Sequence, residues 1–63
     1  MEKILVTIYE DIFCAFAETI IEAESLEEFN SKLHIYMEET RVSAEVQGIE
    51  LAGANYNLPK GWR

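Results

Sequence analysis

The chain has 63 residues, twelve acidic against five basic, a net charge of −7 and a pI near 4.4. So short a chain makes one domain, 1–63, and buries only about 60% of the surface its unfolded form exposes. The charge argues against direct binding of nucleic acid or an anionic membrane, since both need a basic footprint. A single cysteine allows no internal disulfide, and Cys14 with His34 offers no metal-ligand spacing.

Lys3 to Tyr9 reads as a first strand, with Ile4, Val6 and Ile8 alternating against Leu5, Thr7 and Tyr9. Glu10-Asp11 is the polar break of a hairpin. Ile12 to Glu24 follows as a long second strand, or as two strands broken near Glu18-Thr19, whose odd positions, Phe13, Ala15, Ala17, Ile21 and Ala23, form the core face. Its even face starts apolar at Ile12, Cys14 and Phe16 and ends acidic at Glu18, Glu22 and Glu24. Cys14 is expected as a small buried hydrophobe.

At Ser25 the period changes. Leu26, Phe29, Leu33 and Met37 share one helical side, and Ser25 with Glu28 three places on is a capping-box pattern. The helix is expected from about Leu26 to Glu39. Glu27 and Glu28 suit its first turn, whereas Glu38 and Glu39 oppose the macrodipole in its last. Arg41 to Ala52 is expected as a further strand, because Val42, Ala44 and Val46 share a parity before Ile49 and Leu51 take the other, with a bulge or a sharp bend around Gln47-Gly48. Residues 53–63 are expected as an irregular tail that packs through Tyr56, Leu58 and Trp62.

These elements predict an α+β fold of order β-β-α-β: an antiparallel sheet of three or four strands with one helix on one face. The other sheet face would carry Leu5, Tyr9, Ile12, Cys14 and Phe16, a patch that needs a cover. The tail, a second copy in a homodimer, or a binding partner could supply it.

No nucleophile–base pair, phosphate loop or metal set is present, so neither enzyme activity nor a cofactor is expected. No run reaches the roughly 18 apolar residues of a membrane helix. Met1-Glu2-Lys3 leads into too short an apolar run for a signal peptide, so a cytoplasmic site is expected. Ten of the twelve acids precede Arg41. That skew favours a basic protein partner.

The run Thr19-Ile20-Ile21-Glu22-Ala23-Glu24-Ser25-Leu26-Glu27-Glu28-Phe29 carries a resemblance. A strand ending in an Ala-Glu-Ser-Leu-Glu-Glu step into a helix is similar to the small bacteriophage inhibitor of host RNA polymerase. It also resembles the HicB-type antitoxin fold, although Phe29 stands where that family has alanine, and the glycine usual before the step is missing. The match spans about a third of the chain, and part of it is a generic helix cap. In size and acidity the chain also resembles phage anti-CRISPR proteins. These likenesses imply an inhibitor, active in the cytoplasm of an infected bacterial host, that blocks a nucleic-acid-handling protein such as a CRISPR effector by acidic mimicry. Glu18, Glu22, Glu24, Glu27, Glu28, Glu38 and Glu39 would replace phosphates, with Tyr9, Phe16 and Trp62 as anchors. The alternatives are a toxin-neutralising module and a self-associating structural domain.

Overall fold

The computed structural model describes residues 1–11 and 14–62. The order is β1 (Glu2–Tyr9), β2 (Ala15–Ala23), α1 (Leu26–Val46) and β3 (Gly53–Tyr56). The three strands form one antiparallel sheet in the order β2-β1-β3, with the helix across one face. The small α+β fold with β-β-α-β order is therefore as the sequence pattern predicts.

The central strand β1 sorts its side chains by parity. Ile4, Val6 and Ile8 are buried toward the helix, where they meet Ile21, Ala23 and Phe29. Leu26, Leu33, Tyr36, Met37, Leu51 and Trp62 close over that cluster. Glu10 and Cys14 close the β1–β2 hairpin, the Glu10 N–H donating to the Cys14 carbonyl at 2.8 Å. Ile12 and Phe13, expected to open the second strand, lie outside the described residues.

β2 is shorter than the expected 12–24, and its alternation is interrupted. Ile8 pairs with Ala17 but Tyr9 pairs with Ala15, so Phe16 is an extra residue in a bulge. The slip moves Ala15 off the core side, and it is exposed. Cys14 is likewise exposed rather than buried, because the strand has not yet begun there.

The helix start is built as the spacing implies. Ser25 Oγ accepts the Glu28 N–H at 3.1 Å, and Glu28 Oε1 accepts the Glu24 N–H at 2.7 Å. Its end lies well beyond Glu39. The expected strand over 41–52 is absent: 41–46 continue the helix, with Ala44 buried while Val42 and Val46 are exposed. Thr40 is also buried, its hydroxyl donating to the Tyr36 carbonyl at 2.8 Å. A Schellman turn then stops the helix. Gly48 N–H donates to Glu45 O at 3.0 Å and Ile49 N–H to Ala44 O at 2.8 Å. Gly48 has φ +73°, which a glycine adopts without the Cβ penalty.

The third strand falls instead in the segment expected to be irregular. The Ala52 N–H donates to the Tyr9 carbonyl at 2.8 Å, and Gly53–Tyr56 then runs along the free edge of β1. The Tyr56 ring lies 5.2 Å from that of Phe29, tilted by 60°. Residues 57–62 follow, turn back at Pro59, and seat Trp62 on the helix-side core.

Candidate functional site

Leu51 and Trp62 join the core on the helix side, and the other sheet face is left open by the described residues. The β1–β2 register puts Lys3, Leu5, Thr7 and Tyr9 of β1 there, with Glu18, Ile20 and Glu22 of β2, and Phe16 in the bulge beyond Glu18. Leu5 is 52% exposed and its cross-strand partner Ile20 is 60% exposed. Phe16 and Tyr9 are half-buried. The tail is thus not the cover for this face.

Acid frames the apolar centre. Glu18 stands opposite Thr7 and accepts its hydroxyl at 3.3 Å; Glu22 stands opposite Lys3. Four residues apart on one strand, the two carboxylates are roughly 13 Å apart along it, with Ile20 between them. Glu24 follows at the end of the strand, exposed, and Glu10 and Asp11 lie at the hairpin end. Among the described residues the ion pairs are Lys32–Glu28 at 3.1 Å, Arg41–Glu38 at 2.6 Å and Arg41–Glu45 at 2.8 Å. All three lie within the helix.

The acids expected to act together are therefore divided. Glu18 and Glu22 share the open sheet face with Tyr9 and Phe16. Glu28 is committed to the helix cap and to Lys32. The Glu24 N–H, with Lys32 beside it, holds the Glu28 carboxyl below the usual carboxylate range. Glu38 is committed to Arg41, whose guanidinium depresses its pKa in the same way. Glu27 and Glu39 are exposed on the helix, away from the side that buries Phe29, Thr40 and Ala44. Trp62 belongs to the helix-side core, on the opposite face of the sheet from Phe16.

Cys14 is exposed, but Asp11 first, then desolvation and Glu10, push its thiol pKa up and leave it a poor nucleophile. His34 is exposed on the helix. Among the described residues no cluster of His, Cys, Asp or Glu could hold a metal ion. No helix among them is long and apolar enough to cross a membrane. Sequence reasoning could identify the acids but did not single out Leu5 and Ile20 as a pair, a juxtaposition that only the β1–β2 register creates.

Comparison with protein-family models, with curated proteins and with solved structures finds no match to this chain.

Proposed function

We propose that the chain is a non-catalytic inhibitor that docks by its open sheet face onto the cationic nucleic-acid site of a host protein. A CRISPR effector is the first class to screen. The observation that carries this reading is the exposed Leu5–Ile20 pair framed by Glu18 and Glu22 on a face that the other described residues leave uncovered. An apolar centre with a polar rim is the anatomy of a protein interface. The acid rim selects a basic one and speeds encounter.

Occlusion is the mechanism. Leu5, Ile20 and Phe16 supply the desolvated centre, and Glu18 and Glu22 meet lysine or arginine side chains that otherwise hold phosphates. Glu24 extends the acid past the end of β2. Because Glu28 and Glu38 already have counter-ions and the helix acids lie on another side, mimicry is confined to this one patch.

The test is affinity purification from host cells. The reading expects a nucleic-acid-handling protein whose capture falls with salt and competes with its own nucleic acid. Glu18→Lys with Glu22→Lys should abolish capture; retention in that variant would refute the reading. A toxin-neutralising module would use the same face, and recovery of a small basic toxin as the sole partner would favour it.

A further inference from the structure

A second concave surface lies apart from the open sheet face. It is a groove of about 600 Å³ between the C-terminal half of α1 and the segment 48–53 that leaves it. Its apolar lining comes from Met37, Ala44, Ile49 and Leu51, with Ala44 itself 1% exposed. The Schellman turn at Gly48 creates the groove by turning the chain sharply off the helix end.

Its charge is one-sided. Glu38, Glu45 and Glu50 line it, and the only cation among its lining residues is Arg41, already bonded to both Glu38 and Glu45. The last turn of the helix has no basic residue, so the negative end of the macrodipole is unanswered there. A volume of several hundred cubic ångströms suits one or two side chains, and an apolar floor beside a net negative charge, three acids against Arg41, suits a particular kind.

We propose that this groove receives a short basic segment of a protein partner, with an aliphatic side chain on Met37, Ile49 and Leu51 and a flanking lysine or arginine against Glu50 and the negative end of the helix. The apolar anchor supplies contact and the flanking cation supplies selectivity. This site is independent of the sheet-face reading and would stand if that reading fell.

The experiment titrates the full chain with four capped tripeptides, Lys-Leu-Lys, Ser-Leu-Ser, Glu-Leu-Glu and Lys-Ser-Lys, and follows the side-chain methyl NMR signals. Lys-Leu-Lys should shift Met37, Ile49 and Leu51 saturably and lose affinity in high salt. Ser-Leu-Ser and Lys-Ser-Lys should each bind several-fold more weakly, and Glu-Leu-Glu should not bind. Glu50→Gln, an exposed change that leaves the core intact, should weaken Lys-Leu-Lys about two- to fivefold, the effect of one exposed charge pair. Glu18→Lys with Glu22→Lys should leave that affinity unchanged. Equal binding of Lys-Leu-Lys and Lys-Ser-Lys, shifts confined to Leu5 and Ile20, or no saturable shift would each overturn the proposal.

Discussion

The two faces of β1 and β2 should differ sharply in their response to the same substitution. Ile8 is fully buried under the helix, whereas Ile20 is 60% exposed on the open face. Replacing either by threonine keeps the β-branch, so strand propensity is nearly constant. At position 8 the change removes buried apolar surface and strands a hydroxyl without a partner, which costs about 1–3 kcal/mol for the unpaired group alone. With the lost burial the total is about 2–4 kcal/mol. At position 20 less than half of the roughly 1.5–3 kcal/mol of full side-chain burial is at stake, and the hydroxyl stays in water, so the loss is under about 1 kcal/mol. A chain of this length has a total stability of roughly 3–9 kcal/mol. Thermal unfolding followed by circular dichroism should then show Ile8→Thr largely unfolded or melting at least about 10 °C lower. Ile20→Thr and Leu5→Thr should each melt within about 8 °C of the parent. Equal, large losses at positions 8 and 20 would refute the reasoning, since they would mean that the open face is covered.

Three further outcomes follow from the same geometry. Gly48→Ala should destabilise by about 1 kcal/mol, the left-handed penalty less the unfolded-state gain, because an added Cβ at Gly48 meets nothing within 4 Å; Gly48→Asn should recover part of this in a denaturant titration. Glu28 and Glu38 have folded pKa values below their unfolded ones. Their stabilisation is complete above the ordinary glutamate range and is lost as the pH falls through the folded values, so stability should drop below about pH 4 in acid titrations. Lys32→Met with Arg41→Met should flatten that slope. Cys14 should alkylate slowly at pH 8, and Asp11→Asn should speed the reaction, measured by iodoacetamide labelling.

Much of the fold was legible because local signals agreed. The alternation of Ile4, Val6 and Ile8 gives β1, and the Ser25–Glu28 cap gives the helix start. The helix end was hidden by a coincidence of periods: Val42, Ala44 and Val46 fit an alternating strand, yet only Ala44 is buried. Two helical signals were present in the same stretch. Met37, Thr40 and Ala44 continue the buried side at helical spacing, and Arg41 sits three residues after Glu38 and four before Glu45, where both can reach it. The short β3 was hidden because Gly53–Tyr56 carries no β-branched residue; its pairing with β1 places it there. For the site, the identities of the acids were legible and their division between two sides was not. That division depends on the rotational phase of the helix and on the pairings that commit Glu28 to Lys32 and Glu38 to Arg41.

Capture of a host partner by three forms of the chain addresses the open-face proposal most directly. One form is unaltered, one carries Leu5→Thr, Ile20→Thr, Glu18→Lys and Glu22→Lys, and one carries Glu27→Lys and Glu39→Lys on the helix. Binding should fall by at least about a hundredfold in the sheet variant, as expected when an interface loses its centre and its charge together. It should change only a few-fold in the helix variant. Full binding by a folded sheet variant, with loss in the helix variant, would contradict the account.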